Sequence, residues 1–419
     1  MHIAMISEHA SPLAAQGGVD SGGQNVYVAF VARELAALGH RVDVFTRRDD
    51  PSTPAVTVLA PGTRVIQVDA GPPQPVPKEA LLPHMPAFAS WIARWCEQRS
   101  WHYDIVHANF FMSGQVGLFL RDRLQVPLVV TFHALGRVRR LHQGSADGFP
   151  DERIAIEEAL VDRADCIIAE CPQDFADLTG LYGADGERIA IVPCGVDTRE
   201  LGPGDGRARE RLGLPADEFV VLQLGRLVPR KGIDNVIRAV GVLKRDHRID
   251  ARLLVVGGEH ADPDPRYTPE IGRLRAIAEE EGVADRTLFT GRREREALSD
   301  YYCAADVFVT TPWYEPFGIT PLEAMACGRP VIGADVGGIR HTVVDGETGY
   351  LVPPHDPPAL AERLKWLHDD PMRARSFGSA GLRRVRSTFT WKRVATSLDA
   401  IYEELCTRNA PAFEERAGS

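Results

Sequence analysis

Short apolar runs alternate with amphipathic stretches through the first half of the chain. The apolar runs predict strands at Ile3–Ile6, Val42–Phe45, Ile105–His107, Leu128–Thr131, Cys166–Ala169 and Ile189–Val192. Between the strands, apolar residues recur at helical spacing, which predicts helices over Gln24–Leu38 and Met85–Cys96. Strands that alternate with helices are typical of a parallel, doubly wound sheet.

A segment rich in glycine, proline and aspartate, residues 193–206, interrupts this pattern and is typical of a linker. The pattern then restarts. Strands are predicted at Phe219–Leu224, Leu253–Val256, Thr287–Phe289, Val307–Val309 and Pro330–Ile332, and helices at Asp234–Arg245, Pro269–Glu281, Ala297–Ala304 and Pro321–Cys327. We therefore expect an α/β protein with two Rossmann-like, doubly wound domains that face each other across a cleft, residues 1–197 and 198–385. Residues 386–419 are predicted to be a terminal helix and a frayed tail.

Size, charge and cysteine content narrow the class of protein. A chain of 419 residues is long enough for two domains of roughly 200 residues each. A net charge of −10 argues against a nucleic-acid-binding protein, which needs a basic face. The seven cysteines contain no C-x-x-C pair, which is typical of reduced thiols in the cytoplasm and of a protein without a zinc site. The first apolar run is too short for a signal peptide, and no run approaches the length of a membrane span.

The stretch from Thr311 to Ala326 carries the strongest functional signal. A helix is predicted to begin there with Thr320 as its N-cap, Pro321 in the first position and Glu323 completing a capping box. Before it lies a loop with a second carboxylate, Glu315, and a flexible Gly318. The N–H groups of a helix mouth bind phosphate, and a nearby carboxylate holds sugar hydroxyls, so the segment suits a nucleotide-sugar. The alternative for Glu323 is that it only caps its own helix. A purely structural role is harder to assign to Glu315, because it lies in a loop at the carboxyl end of a strand, where α/β sheets bind ligands.

Two other strand-to-helix turns suit an anionic ligand. Gly22-Gly23 opens the first helix and allows backbone N–H groups to approach an anion, although a flexible loop would have the same composition. The turn from Gly225 to Gly232 carries Arg226 and Lys231, whose charges suit the neutralisation of a leaving diphosphate without a metal. A solvated basic turn is the alternative. The tight G-x-G-x-x-G dinucleotide fingerprint is absent from the first turn.

The first domain offers a histidine and several cations near its strand ends. His133 follows the strand Leu128–Thr131 and is predicted to contact substrate, although a lone histidine is more often structural. Five cations are predicted to form an anion pocket, although each alone is typical of a solvated surface: Lys78, Arg137, Arg139, Arg140 and Arg153.

In this order, these motifs resemble the retaining, GT-B-fold glycosyltransferases of sequence family 4, over nearly the whole chain. The resemblance is nearest to the branch that holds the sucrose-phosphate synthases and the inositol-phosphate N-acetylglucosaminyltransferase of mycothiol synthesis. Gly22-Gly23-Gln24 and residues 133–140 are similar to the first group, and residues 107–117 to the second. Phe110 and Ala134 depart from the second, which has a tyrosine and another hydroxyl residue at these positions.

The resemblance implies a role for each site residue. It makes His133, Arg226, Lys231 and Glu315 catalytic. It assigns the donor to Gly22, Gly23, Phe317, Gly318, Ile319, Thr320, Leu322 and Glu323, with Glu323 on the ribose. It assigns the acceptor to Gln24, Asn25, Lys78, Arg137 and Arg153. It also implies that the C-terminal helix, Trp391–Cys406, crosses back onto the first domain.

The reaction implied is transfer of a hexosyl group, with retention, from a UDP-glucose-like nucleotide-sugar to a phosphorylated sugar such as fructose 6-phosphate. No metal or cofactor is expected. Asp262-Pro263-Asp264 superficially resembles a metal-binding D-x-D motif, but its prolines and its position in a loop argue against metal binding. Alternative acceptors are inositol phosphate and a non-phosphorylated or lipid-linked glycan. A sugar-nucleotide epimerase shares the architecture. A dehydrogenase would need the glycine fingerprint, and a phosphorylase would need a lysine that binds pyridoxal phosphate.

Overall fold

The computed structural model describes residues 1–14, 22–144 and 147–409, and these residues form two sheet domains. Within that part of the chain the first sheet has eight strands in the order β3-β4-β2-β1-β5-β6-β7-β8. Their bounds are β1 (His2–Ile6), β2 (Arg41–Arg47), β3 (Val56–Ala60), β4 (Thr63–Val68), β5 (Ile105–Asn109), β6 (Leu128–Thr131), β7 (Cys166–Ala169) and β8 (Ile189–Ile191). All neighbouring strands are parallel except β3, which pairs antiparallel with β4 at one edge.

Helices cover both faces of this sheet. They are α1 (Gly23–Ala37), α2 (Met85–Arg99), α3 (Phe111–Leu124), α4 (Gly136–Gln143), α5 (Glu152–Arg163) and α6 (Pro172–Tyr182). The strands between them are almost wholly buried, because a parallel sheet covered on both faces needs apolar side chains in both directions.

The second sheet has six strands among the described residues, all parallel, in the order β11-β10-β9-β12-β13-β14. The strands are β9 (Val220–Leu224), β10 (Arg252–Val256), β11 (Thr287–Gly291), β12 (Val307–Thr310), β13 (Val331–Ala334) and β14 (Gly349–Val352). The helices are α7 (Ala208–Arg211), α8 (Ile233–His247), α9 (Pro269–Glu280), α10 (Arg295–Ala304), α11 (Ile319–Ala326), α12 (Ile339–Thr342), α13 (Pro357–Asp369), α14 (Pro371–Thr388) and α15 (Trp391–Asn409).

The predicted architecture of two doubly wound α/β domains is confirmed, and each predicted strand is present within a residue or two. Three strands were not predicted: β3 and β4, which form the edge of the first sheet, and β14. β3 is half-exposed, so it lacks the continuous apolar run that marks a buried strand. The helices α3 to α6 were also not predicted.

The last helix, α15, packs against α1 of the first domain. The Trp391 ring stacks on Phe30, with centroids 5.5 Å apart and planes at 6°. Farther along α15, Asp399 accepts a hydrogen bond from His40 at 2.7 Å, and the Tyr402 hydroxyl lies 2.5 Å from His107 Nδ1. Side chains of the C-terminal helix thus complete the core of the first domain.

In each sheet the strand order reverses at a central strand. β1 lies between β2 and β5, and β9 lies between β10 and β12. Ligands of open α/β sheets bind at the carboxyl ends of such strands. The loops after β5 and β6 in the first domain, and after β9 and β12 in the second, therefore surround the cleft.

Candidate active site

A cavity of about 340 Å³ lies between the two domains and is lined by residues of both. Of the residues proposed for the site, the lining includes Gly22, Gly23, Gln24, Asn25, Lys78, His133, Arg226, Lys231, Glu315, Phe317, Gly318, Ile319 and Thr320. The predicted residues that do not line it are Arg137, Arg153, Leu322 and Glu323. The cleft thus brings together the three strand-to-helix turns of the sequence prediction with His133.

The helix mouth in this cleft begins one residue earlier than predicted. α11 begins at Ile319, and Gly318 is its N-cap with φ +86°, in the left-handed region that glycine adopts without strain. Thr320 is therefore inside the helix, and the prediction of Thr320 as N-cap with a Glu323 capping box is wrong. Because no side chain among residues 1–14, 22–144 and 147–409 caps this helix, that part of the chain leaves its first N–H groups available at the cavity wall.

The carboxylate of Glu315 is paired with cations of the turn after β9. Lys231 Nζ donates a hydrogen bond to Glu315, and Arg230 lies 3.8 Å from the same oxygen. Burial alone would raise the pKa of Glu315, but the charges of Lys231 and Arg230 lower it below its ordinary value. Burial lowers the pKa of Lys231, against the opposing charge of Glu315. Lys231 and Glu315 thus form a buried ion pair in the wall of the cleft.

Close backbone packing holds the cationic turn against β12. Gly232 has φ +63°, and a Cβ there would lie 2.0 Å from the carbonyl oxygen of Thr311. The Thr311 hydroxyl donates to the Gly232 carbonyl at 2.9 Å. A glycine is required at this position, and its presence places Lys231 beside the loop that carries Glu315.

Glu323 lies directly behind the helix mouth, in a buried polar network. Its carboxylate accepts a hydrogen bond from the Tyr302 hydroxyl at 2.7 Å and another from Arg295 at 3.3 Å. Arg295 lines the cleft and also donates to Glu200 at 2.6 Å. Glu323 therefore contacts the cleft lining through its hydrogen bond from Arg295. The alternative that Glu323 caps its own helix is wrong.

His133 stands opposite the helix mouth, on the first-domain side of the cleft. Its Nδ1 lies 3.1 Å from Glu170 Oε1, and its Nε2 lies 3.0 Å from Asn109 Oδ1. The Tyr27 ring meets the imidazole edge-on at 4.8 Å. The backbone of His133 has φ +57°, an uncommon conformation outside glycine that aims the residue away from the path of β6.

The turn before α1 lies close to the helix mouth of the other domain. A Cβ at Gly23 would approach Ile319 Cδ1 to 3.4 Å. Gln24 donates to Ser7 Oγ and to the Asn109 carbonyl, both at 3.2 Å. The Asn25 side chain accepts from Gly22 N–H and donates to Ser11, both at 2.9 Å. The preceding residues 15–21, which include the rest of the predicted loop, are outside the described part of the chain.

The predicted five-cation pocket is wrong in composition, because only Lys78 and Arg139 line the cleft. Arg137 donates to Glu158 and to the Leu181 carbonyl and lies over the Tyr182 ring. Arg140 pairs with the exposed Asp151 at 2.6 Å.

Arg153 is only 1% exposed and belongs to the interior of the first domain. It donates to Glu157 at 2.7 Å and to the Ala134 carbonyl at 2.5 Å. Its guanidinium lies 4.7 to 5.0 Å from the rings of Phe110, Phe111 and Phe149. Arg153 is thus held in a buried ion pair, its Nη1 has no hydrogen-bond partner among the described residues, and Phe110 presents an apolar surface where the resemblance had implied a hydroxyl.

The loop before α11 also contacts the first domain. The Tyr314 ring stacks on His142 of α4, with centroids 5.2 Å apart and planes at 14°. Cys171 Sγ donates to the Pro316 carbonyl at 3.5 Å. These contacts place Glu315 directly at the junction of the two domains.

Several residues of the site were not predicted, chiefly Asn109, Glu170, Cys194, Arg295 and Tyr302. Glu170 follows directly after a correctly predicted strand, β7, so the rule that drew attention to His133 would have found it. Tyr302 and Arg295 carried no such signal, because they lie on a helix that faces the site only in the folded protein.

Two negative findings apply to the described residues alone. They contain no group of three or more His, Cys, Asp or Glu side chains placed to hold a metal ion. None of the helices formed by these residues has the length and apolar character that a membrane crossing requires.

Comparison with known proteins agrees with this geometry. Residues 21–200 match the family model Glycosyltransferase Family 4, and residues 205–384 match Glycosyl transferases group 1. The chain is 40% identical over 413 residues to D-inositol 3-phosphate glycosyltransferase of Corynebacterium efficiens, covering 97% of this chain and 96% of that protein. It is 39% identical over 424 residues to the enzyme of the same name from Acidothermus cellulolyticus, covering 100% and 93%.

A solved structure of sucrose-phosphate synthase from Thermosynechococcus elongatus superimposes with a TM-score of 0.89 at 37% identity, covering 97% of this chain and 99% of that one. The similarity extends through both domains and the cleft between them, and the predicted family resemblance is confirmed. The chain belongs to the GT-B-fold glycosyltransferases of sequence family 4, which transfer sugars from nucleotide-sugar donors, in the branch of the inositol-phosphate glycosyltransferases and sucrose-phosphate synthases.

Proposed function

We propose that this enzyme transfers a hexosyl group from a nucleoside diphosphate sugar to a phosphorylated polyol, with retention of anomeric configuration and without a metal ion. The observation that carries the proposal is the meeting of three features at one cleft. These are the mouth of α11, the cations Arg226 and Lys231, and His133 on the opposite wall.

The donor's diphosphate fits the second-domain wall of the cleft. The N–H groups at Ile319 and Thr320 and the positive end of the α11 dipole favour an anion there. Arg226 and Lys231 line the same wall and lie close enough to affect the pKa of Glu315. As the diphosphate leaves, its growing charge is stabilised by these fixed cations, which is the role that a metal has in other transferases.

The proposed reaction needs no enzymic nucleophile. The bond from the anomeric carbon to the leaving phosphate oxygen breaks while the acceptor oxygen bonds on the same face. The acceptor's hydroxyl proton passes to that phosphate oxygen. The roles proposed for Glu315 and His133 are to hold the hydroxyls of the donor sugar from opposite walls. Two carboxylates flanking one bond would be needed for a glycosidase-like mechanism, and Glu323 is turned away toward Tyr302 and Arg295.

The acceptor is proposed to place its phosphate near Lys78 and Arg139 on the first-domain wall. An inositol phosphate is the first candidate, because relatives 36% to 40% identical over nearly the whole chain carry the name D-inositol 3-phosphate glycosyltransferase. Fructose 6-phosphate, the acceptor first expected from the sequence, becomes the second candidate. It rests on the 37% identity to a sucrose-phosphate synthase.

A matrix of donors and acceptors tests the proposal. UDP-, GDP- and ADP-linked glucose and UDP-N-acetylglucosamine are each incubated with inositol 3-phosphate, inositol, fructose 6-phosphate and fructose, and products are identified by mass spectrometry. We expect a product only with phosphorylated acceptors, at the same rate with and without a chelator. The NMR coupling constant of the product's anomeric proton shows whether the anomeric configuration is retained or inverted. Equal rates with the free polyol would overturn the acceptor proposal, and an inverted product would overturn the mechanism.

A further inference from the structure

A buried carboxylate beside His133, that of Glu170, has no part in the reaction described so far. Glu170 follows directly after β7, at the same edge of the sheet at which His133 follows β6. Its side chain is 4% exposed. Its Oε1 lies 3.1 Å from His133 Nδ1 and accepts a hydrogen bond from Cys194 Sγ at 2.9 Å.

The surroundings of His133 determine where its protons lie. An ionised carboxylate only accepts hydrogen bonds, so His133 Nδ1 must carry a proton to bond with Glu170. The other ring nitrogen, Nε2, faces Oδ1 of Asn109, whose amide is oriented by its Nδ2 donating to the Ile6 carbonyl at 3.3 Å. Both ring nitrogens therefore face acceptors, and the set of hydrogen bonds is complete only when both carry protons.

The charge of Glu170 fits this arrangement. Burial would raise the pKa of Glu170, but the charge of His133, its hydrogen bond and that of the Cys194 thiol lower the pKa below its ordinary value. An ionised carboxylate this deep in a protein needs a cation beside it, and His133 is in direct contact. The other titratable groups that face this pair are Tyr27 from α1, His107 from β5, Asp174 from α6, Cys194 and Glu315.

We propose that Glu170 is a positioning residue for sugar transfer, whose carboxylate holds the doubly protonated His133 ring at the cleft wall, with Nδ1–H on Glu170 and Nε2–H on Asn109. That the His133 held in this way contacts the donor sugar rests on the proposed function.

The first test observes the imidazole directly, in the protein without substrate. The protein is labelled with ¹⁵N-histidine, and His133→Gln assigns the His133 signals among those of the thirteen histidines. We expect both ring nitrogens of His133 to carry protons at neutral pH. We expect Glu170→Gln to leave one nitrogen unprotonated, and Glu170→Asp to keep both protons. Because no substrate is present, this result stands apart from the identity of the acceptor.

The second test separates positioning from packing by kinetics. Glu170→Gln has the shape of glutamate without its charge, and we expect kcat to fall about 10- to 100-fold while the KM of each substrate changes less than about twofold. Glu170→Asp should lose less activity than Glu170→Gln. Asp174→Asn is the matched control, because Asp174 accepts a hydrogen bond from the Glu170 backbone at 3.1 Å without contacting His133. Its kcat should stay within about twofold of wild type.

Three results would each overturn the proposal. The first is a wild-type His133 ring with a single proton, which remains measurable even if the Glu170 variants fold poorly. The second is unchanged His133 signals, or an unchanged kcat, in Glu170→Gln. The third is a greater loss of kcat in Glu170→Asp than in Glu170→Gln, because a packing role depends on shape and a positioning role on charge.

Discussion

Arg153 provides the sharpest contrast between the sequence and the structure, and replacing it with alanine tests that contrast. From the sequence we expected Arg153→Ala to weaken binding of a phosphorylated acceptor. In the structure the Arg153 guanidinium is buried and forms an ion pair with Glu157, whose side chain is 0% exposed. The guanidinium also lies against three phenylalanine rings. We now expect the substitution to destabilise the first domain.

The magnitude follows from what the truncation leaves behind. Glu157 keeps its hydrogen bonds from Gly136 N–H, at 2.9 and 3.1 Å, and from the Tyr182 hydroxyl, but loses its cation. Breaking a buried ion pair by removing one partner costs about 3 to 5 kcal/mol. For a domain of this size, that loss lowers the midpoint of thermal unfolding by roughly 6 to 20 °C.

Two neighbouring arginines on α4 are compared with Arg153, one as a surface control and one as a residue of the cleft. Arg140 pairs with Asp151 at the surface, so Arg140→Ala should change the free energy of unfolding by about 1 kcal/mol or less. It should leave kcat and the KM of both substrates unchanged. Arg139 lines the cleft, and Arg139→Ala should raise the acceptor's KM about 10- to 100-fold, since a hydrogen bond to a charged group contributes about 1.5 to 3 kcal/mol. The donor's KM should stay constant in both.

The assay is differential scanning calorimetry of the three variants beside steady-state kinetics at a temperature where all are folded. The two domains can unfold separately, so the first-domain transition is the one to follow. A structural role of Arg153 would be refuted if Arg153→Ala melted within about 3 °C of wild type and showed an acceptor KM raised tenfold or more. Arg153 would then be a binding residue, as the sequence first indicated.

Three other predictions concern the donor side of the cleft. Lys231→Ala should lower kcat about 100- to 1,000-fold with little change in nucleoside-diphosphate affinity, because its charge matters most as the diphosphate leaves; normal turnover with weak donor binding would contradict this role. Glu323→Gln should keep the hydrogen bond from Tyr302 but lose its charge toward Arg295, so calorimetric titration should show weaker donor binding at an unchanged melting temperature. In Glu315→Gln, Lys231 loses the neighbouring charge that raises its pKa, so the pKa of Lys231 should fall. As the pH is raised, diphosphate affinity should therefore begin to decline at a lower pH than in wild type. Binding titrations at a series of pH values would contradict this role of Glu315 if the decline began at the same pH in both proteins.

The sequence by itself determined the architecture and most of the cleft. Continuous apolar runs predict buried parallel strands because only a sheet covered on both faces buries every side chain of a strand. Once the strands are known, their carboxyl ends are known too. Residues in the loops that follow them, such as His133, Arg226 and Glu315, then fall at one edge, and the structure places all three on the cavity wall.

The tertiary structure decided how the charged side chains are used. Lys78, Arg139 and Arg153 looked equivalent as cations near strand ends, but burial among aromatic rings makes Arg153 a core residue while Lys78 and Arg139 face the cleft. The start of α11 at Ile319 was also decided by three-dimensional packing, because the backbone at Gly318 is turned into the left-handed region beside Ile339. Local sequence specifies which groups a segment offers. Which groups meet depends on contacts between residues far apart in the chain, as between His133 and Glu170, and these form only when the strands that carry them pair in the sheet.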